Sequence, residues 1–280
     1  MRVLVVLIVF IPALTFSQEV RRGAHAQEAN HNTVSYYLRL FSQSGGTLAP
    51  PVDKVIAFTE RLENKRSTFR SEKAFVHHLF VRTHEQFLSS FKPYATFNEL
   101  IENGAYNCLT ATSLYSVLLD HFRIVYQVIE TNEHIFILCK TTGGDVLLET
   151  TDLEHGFVDT SQGIERRLQL YRRQNLQTGA TTYSFSGTVM DSVSITGMLG
   201  LLHYNHAAKA YNQKDYAAAI AHLHHAFLLH RSPHMEEFAS VMILTIQNTT
   251  MMDPRIRQDY VQKILALKRG RLGKFSSIRS

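Results

Sequence analysis

The fold is decided by residues 104–115, Gly104-Ala-Tyr-Asn-Cys-Leu-Thr-Ala-Thr-Ser-Leu-Tyr115, where a loop turns into a helix at Cys108. The apolar positions that follow recur at helical spacing, which predicts a helix over 108–122 that is buried on one side. The first turn of a helix carries unpaired N–H groups and the positive end of the helix dipole, and both favour a thiolate over a thiol. The stretch therefore indicates a reactive cysteine at a helix start.

The pattern changes to period two after this helix. Residues 124–130, 134–139 and 146–151 are rich in β-branched and aromatic side chains, and short turns separate them. They predict a three-stranded antiparallel meander behind the helix, so the fold class is α+β. His134 opens the second strand, 26 positions after Cys108.

Helical spacing also precedes and follows this unit. The predicted helices lie at 34–41, 52–64 and 71–91, with a short turn at 97–102, a loop at 152–163 and a further helix at 164–173.

This order of elements resembles the transglutaminase-like superfamily, whose core is papain-like: a helix that carries the cysteine packs on an antiparallel sheet. The likeness covers residues 95–160. It rests on Tyr-Asn-Cys108-Leu-Thr-Ala, on Glu-His134-Ile-Phe-Ile, and on the acidic residue of Leu-Leu-Glu149-Thr-Thr-Asp after a Gly-rich turn.

The resemblance implies roles for three residues. Cys108 matches the nucleophile, His134 the base, and Glu149 the acid that orients the histidine, with Asp152 as the fallback for Glu149. Chemically, a thiolate attacks a carbonyl, an imidazole moves the proton, and a carboxylate fixes the imidazole tautomer. The oxyanion would be met by the Cys108 N–H and a second donor, for which we expect the side-chain amide of Asn107.

The chain departs from the family at the positions beside this triad. Asn107 stands where the family often has Gln, the chain contains no tryptophan, and Glu149 stands where Asp is common. Two function classes therefore stay open. One is an acyl-transfer enzyme that hydrolyses or transamidates a peptide or protein substrate, and the other is an inactive fold that serves as a binding scaffold.

The two cysteines, Cys108 and Cys139, allow a single disulfide as the alternative to a reactive thiol. His134 and Cys139 are five positions apart on one strand, so their side chains point to opposite faces. If His134 faces Cys108, then Cys139 points away from it.

The C-terminal half carries a different pattern. Residues 203–233 resemble one tetratricopeptide unit, with small, aromatic and terminating residues in the matching places and a turn at 212–215. Helices at 235–248 and 254–268 would pack beside it. We therefore predict a transglutaminase-like domain at 34–180 and an all-α helical-hairpin region at 195–270, whose helices are a candidate docking surface for a protein partner.

Histidines are dense in this region. The i, i+3 pairs His203/His206 and His222/His225 have the spacing of a transition-metal chelate, but no acidic or cysteine ligand accompanies them, and helix-surface histidines are common. Phosphate loops, dinucleotide fingerprints and His-Glu-x-x-His sequences do not occur in the sequence. We therefore predict chemistry without a cofactor or a metal.

The chain ends indicate the compartment. Residues 1–17 have the charged start, apolar run and small residues of an export signal, with a retained anchor as the alternative. Removal of the signal would leave a periplasmic or secreted protein with a flexible segment at 18–33 and no integral membrane segment. The formal net charge is +5, and part of the excess of basic residues lies in the tail at 271–280. We interpret this tail as a solvated segment rather than as a nucleic-acid site.

Overall fold

The computed structural model describes residues 33–45, 52–131, 134–177 and 191–270. Within these ranges the protein is mixed α+β, with ten helices, a five-stranded antiparallel sheet and a short two-stranded one. The predicted export signal at 1–17, the basic tail at 271–280 and all but residue 33 of the predicted flexible segment lie outside the described residues.

The described ranges contain ten helices. They are α1 (33–43), α2 (Asp53–Arg66), α3 (Glu72–Phe87), α4 (Phe97–Asn103), α5 (Cys108–His121), α6 (Ser161–Gln177), α7 (Ile195–Asn212), α8 (Tyr216–Leu229), α9 (Pro233–Asn248) and α10 (Pro254–Lys268). The strands are β1 (Ser90–Phe91), β2 (Ala105–Tyr106), β3 (Val125–Glu130), β4 (Ile135–Thr141), β5 (Gly144–Leu148), β6 (Phe157–Val158) and β7 (Asp191–Val193).

The approach to α5 is built by α4. Thr96 and Glu99 form a reciprocal capping box at the start of α4, and the helix ends at Gly104, whose φ of 77° lies in the left-handed region that favours glycine. The chain then runs through β2, which pairs in parallel with β1. This route delivers Asn107 directly to the start of α5.

The predicted meander is confirmed, because β3, β4 and β5 are consecutive antiparallel neighbours. Two edge strands that the sequence did not predict extend it, giving the order β6-β5-β4-β3-β7. These strands contain two and three residues, which is too short for an alternating pattern to be recognised. Helix α6 begins three residues before the predicted start, since Thr160 accepts hydrogen bonds from the N–H groups of Gly163 and Ile164.

The two faces of the sheet bury different clusters. Phe136 and Leu147 pack against Tyr171 of α6 on one face, whereas Ile137 and Cys139 belong to the main core together with the apolar residues of α5. Cys139 therefore lies on the sheet face that packs against α5, opposite to Phe136, as the alternation along β4 predicts. His134, predicted to open this strand, directly precedes β4, which begins at Ile135. Both cysteines are free thiols.

Helices α7 to α10 form successive hairpins. Gly200 lies where a Cβ would come within 2.7 Å of the Cβ of His230, so this glycine lets α7 and the end of α8 approach closely. The main hydrophobic core runs without a break from α1 to α10. The helical region thus packs directly against the α/β unit. None of the helices in the described ranges has the length and apolar character needed to cross a membrane.

Candidate functional site: a cysteine, a histidine and a glutamate

Cys108 is the first residue of α5 and is half-buried. Asn107 caps the helix: its Oδ1 accepts from the N–H of Thr110 at 2.9 Å, and Thr110 Oγ1 accepts from the N–H of Asn107 at 3.0 Å. Two orphan donors are satisfied reciprocally in this way. The capping box fixes the direction in which the Cys108 side chain leaves the helix.

The N–H groups next to the sulfur remain available. Among the described residues, no acceptor is found for the N–H groups of Cys108 and Leu109. These two donors lie at the positive end of the α5 dipole, where a developing negative charge is stabilised. Together they form a candidate oxyanion site.

The side chain of Asn107 has a different role from the one predicted. Its Oδ1 caps α5, and its Nδ2 donates to the carbonyl of Ala95 at 3.4 Å, an oxygen that also accepts from Asn205 Nδ2 at 3.2 Å. Asn107 therefore holds the start of α5 against the segment at Ala95, and Asn205 of α7 contacts the same carbonyl. The backbone N–H of Leu109 takes its place as the second oxyanion candidate.

His134 is held through its backbone by Thr131. The Thr131 N–H and hydroxyl donate to the His134 carbonyl at 2.8 and 3.1 Å, and the His134 N–H donates to Thr131 Oγ1 at 3.0 Å. Thr131 thus closes the β3–β4 connection at the point where His134 emerges.

Glu149 is the carboxylate that meets His134. The Nε2 of His134 donates to Oε2 of Glu149, and the Glu149 side chain is only 5% exposed. The Cys108 side chain is hydrogen-bonded to the same ring, and because Glu149 occupies Nε2, Nδ1 is the nitrogen left to serve the thiol. The structure thus brings together the three residues predicted from the sequence.

The electrostatics of His134 follow from these neighbours. Burial lowers the pKa of His134, but the hydrogen bond with Cys108, the hydrogen bond with Glu149 and the charges of both partners outweigh burial and raise it to about 10. The ring is therefore an imidazolium at neutral pH.

Asp152, the fallback for Glu149, lies in the turn after β5. Its Oδ1 accepts from the N–H of His155 at 2.9 Å, and its side chain is 40% exposed. Asp152 also closes the turn that carries Glu149, since its own N–H donates to the Glu149 carbonyl at 3.1 Å and its carbonyl accepts from Gly156 at 2.8 Å. It supports the acid rather than replacing it.

Tyr171 is the residue that sequence reasoning missed. Its hydroxyl donates to Oε1 of Glu149, and its ring stacks on Phe136 with centroids 4.9 Å apart. Burial, followed by the charge and hydrogen bond of Glu149, raises the pKa of Tyr171, so the phenol keeps its proton. The spacing of Ile164, Leu168 and Tyr171 marks the buried face of α6, and Tyr171 brings a hydroxyl donor to that face.

A threonine pair links the acid to the cysteine helix. Thr150 Oγ1 lies 3.0 Å from Thr112 Oγ1 on α5, and it donates to the carbonyl of Cys108 at 3.5 Å. Both contacts are made by Thr150, the residue that follows Glu149. The helix start and the turn after β5 are therefore held together as one unit.

The helical region supports the same site from the other side. His230, at the end of α8, donates from Nε2 to Oε2 of Glu130 at 2.7 Å, and His234 on α9 donates from Nε2 to the carbonyl of Thr131 at 3.1 Å. Glu130 and Thr131 are buried, and Thr131 exchanges hydrogen bonds with the backbone of His134. The position of the histidine thus depends on helices 100 residues further along the chain.

A separate histidine cluster lies between α7 and α8. The Nδ1 atoms of His203 and His222 are 3.3 Å apart, His225 stacks on His203, and His206 stacks on His222, each with ring centroids 5.0 Å apart. Burial first, and then neighbouring histidines, lower the pKa of His203 to about 3 and that of His206 to about 4. Both rings are neutral at pH 7.

Comparison with protein-family models, curated proteins and solved structures found no significant match to this chain.

Proposed function

We propose that the protein is a transglutaminase-like cysteine acyl-transfer enzyme with a Cys108-His134-Glu149 triad. The observation that supports this most is the position of the His134 ring, which is hydrogen-bonded to Cys108 and to the buried carboxylate of Glu149. A helix that carries the cysteine and packs on an antiparallel sheet is also what a papain-like core would provide.

In the proposed reaction the Cys108 sulfur attacks the carbonyl carbon of a peptide or amide bond. The negative charge that develops on the oxygen is met by the N–H groups of Cys108 and Leu109. The His134 imidazolium gives its proton to the leaving amine, which leaves an acyl thioester on Cys108. Neutral His134 then removes a proton from water or from a second amine, and that nucleophile takes the acyl group and releases the Cys108 thiolate beside the imidazolium.

Glu149 orients His134 throughout this cycle. Its Oε2 holds the Nε2 hydrogen, so Nδ1 stays directed to the sulfur, and its negative charge stabilises the imidazolium. Tyr171 fixes the carboxylate, and the turn that Gly156 closes fixes the backbone of Glu149. The role of these two residues is positional.

The second candidate function is a catalytically inactive binding scaffold with the same fold. The hairpins α7 to α10, which resemble a tetratricopeptide unit with neighbours, would dock a protein partner in either case. Export to the periplasm or outside the cell stays a prediction from residues 1–17.

A covalent trapping experiment separates the two candidates. The purified mature protein is incubated with peptides whose acyl donors are Gln side-chain amides or esters, with and without a primary amine as acceptor. Intact-mass spectrometry then measures any mass added to the protein. The enzyme predicts an acyl adduct on Cys108, released by water or amine. Cys108→Ala, Cys139→Ala and His134→Ala are the matched variants.

Only Cys139→Ala should retain the adduct and turnover. The scaffold predicts no adduct on Cys108 under any condition, together with unchanged binding of a partner in all three variants.

A further inference from the structure

The pair His203 and His222 has the geometry of two metal ligands on adjacent helices. His203 lies on α7 and His222 on α8, and their Nδ1 atoms face each other at 3.3 Å. Without a bound ion, the two Nδ1 atoms can lie this close only if one imidazole donates its N–H to the other. A metal ion can take the place of that proton after a change of tautomer in the donor ring.

The separation of the two nitrogens fits a tetrahedral site. With Zn–N bonds of about 2.0–2.1 Å, two nitrogens at the tetrahedral angle lie roughly 3.3 Å apart. Two residues from different helices are held at this distance by the packing of α7 against α8 and not by spacing along one helix. The i, i+3 pairs considered from the sequence are therefore replaced by a pair across the hairpin.

The neighbours of the pair offer a further ligand. His225 lies three residues after His222 on α8, is exposed, and stacks on the His203 ring at 5.0 Å. Within the described ranges, no three His, Cys, Asp or Glu side chains are already placed to hold a metal together. A third protein ligand therefore requires rotation of a ring, and the exposed ring of His225 would turn out of its stack on His203 to reach the ion.

We propose that His203, His222 and His225 bind one late first-row divalent metal ion, of the class of Zn²⁺, Ni²⁺ or Cu²⁺, which joins α7 to α8. A donor set made only of imidazoles suits these ions, whereas Mg²⁺ and Ca²⁺ require oxygen ligands. The ion is structural, because it lies in the hairpin and the proposed acyl transfer does not use it. The inference is independent of the proposed function.

Metal binding to the folded hairpin stabilises it by mass action. The end of this hairpin carries His230, which contacts Glu130 before the turn into His134. Occupation of the site should therefore also reduce opening of that contact, which hydrogen exchange at Glu130 and Thr131 can report.

The test uses the full mature chain without a polyhistidine tag, stripped of metal with a chelator. Titration with Co²⁺ should give one strongly absorbing tetrahedral site per chain, and Zn²⁺ should displace the Co²⁺ and raise Tm by about 3 °C or more. His203→Gln and His222→Gln should each weaken Zn²⁺ binding at least tenfold. The exposed His225→Ala should also weaken it, with unchanged circular dichroism.

His155→Ala removes an exposed imidazole from the turn after β5, outside the hairpin, and should bind Zn²⁺ as the unchanged protein does. The proposal is overturned if the unchanged protein binds neither Co²⁺ nor Zn²⁺ with a dissociation constant below about 10 micromolar. It is also overturned if binding persists at full strength in His225→Ala and in either His→Gln variant.

Discussion

The phenol of Tyr171 donates a hydrogen bond to Oε1 of Glu149, the carboxylate oxygen that His134 does not contact. The carboxylate is thus held from both sides while it is almost completely buried. A buried acid with both oxygens engaged keeps one orientation, and it passes that orientation to the imidazole. The helix α6 is therefore part of the site although it contributes no group that touches a substrate.

Tyr171→Phe removes this donor and keeps the ring that stacks on Phe136. Because one oxygen of a buried carboxylate loses its partner, we expect a loss of about 1–3 kcal/mol in unfolding free energy and a roughly tenfold fall in kcat with little change in KM. Urea denaturation and steady-state kinetics measure the two effects. Tyr36→Phe, on an exposed tyrosine, is the control and should change neither quantity; an unchanged kcat in Tyr171→Phe would rule out the positioning role.

Gly156→Ala should distort the turn that carries Glu149. A Cβ at this position would come closer than 3.0 Å to the carbonyl oxygens of Asp152 and Glu149, so the backbone has to move. We expect a destabilisation of about 1–3 kcal/mol and a fall in the alkylation rate of Cys108. At Gly45 a Cβ meets its nearest atom at 3.6 Å, so Gly45→Ala should lie within about 0.5 kcal/mol of the unchanged protein. Equal stability of the two variants would contradict this account of Gly156.

The contact between His230 and Glu130 should couple the helical region to the site. Glu130 is buried, and removal of its partner leaves the carboxylate without this hydrogen-bond donor, so His230→Ala should cost about 1–3 kcal/mol. A double-mutant cycle with Glu130→Gln measures the coupling free energy, which we expect to be about 1–3 kcal/mol. The exposed pair Arg82 and Glu85 is the control, with an expected coupling below about 1 kcal/mol. A coupling as small as that of the control pair would show that the helices do not hold the turn.

The sequence predicted the parts of the site that depend on local patterns. Capping chemistry and helical spacing place Cys108 at a helix start, and alternation places His134 and Glu149 at strand ends on neighbouring strands. The choice of Glu149 over Asp152 depended on the geometry of a turn, because Asp152 closes that turn with its own backbone. The position of Asn107 beside Cys108 suggests an oxyanion donor. In the structure its Oδ1 caps α5 and its Nδ2 donates to Ala95, so the side chain is held in another role.

The remaining features depend on contacts between distant segments. Tyr171 reaches Glu149 across 22 residues and His230 reaches Glu130 across 100, and no local pattern specifies such pairs. The pairing of β7 with β3 follows from tertiary packing as well, because three residues carry no recognisable period. The continuous core likewise comes from the way the helices pack, which spacing along the chain does not reveal.

The most direct test of the triad is the rate at which iodoacetamide alkylates Cys108 between pH 5 and 9, followed by peptide mass spectrometry. The pKa of His134 is raised to about 10, so the imidazolium stays beside the sulfur as the pH rises from 5 through 9 and favours the thiolate throughout. Burial raises the pKa of Cys139 to about 12, which makes that thiol an internal reference of low reactivity.

At pH 6 we expect Cys108 to be alkylated at least about tenfold faster than Cys139 and than Cys108 in His134→Ala, with a rate that stays nearly flat up to pH 8. A rate that instead rises about tenfold per unit toward the ordinary thiol range near 8.5, and is the same in His134→Ala, would contradict it.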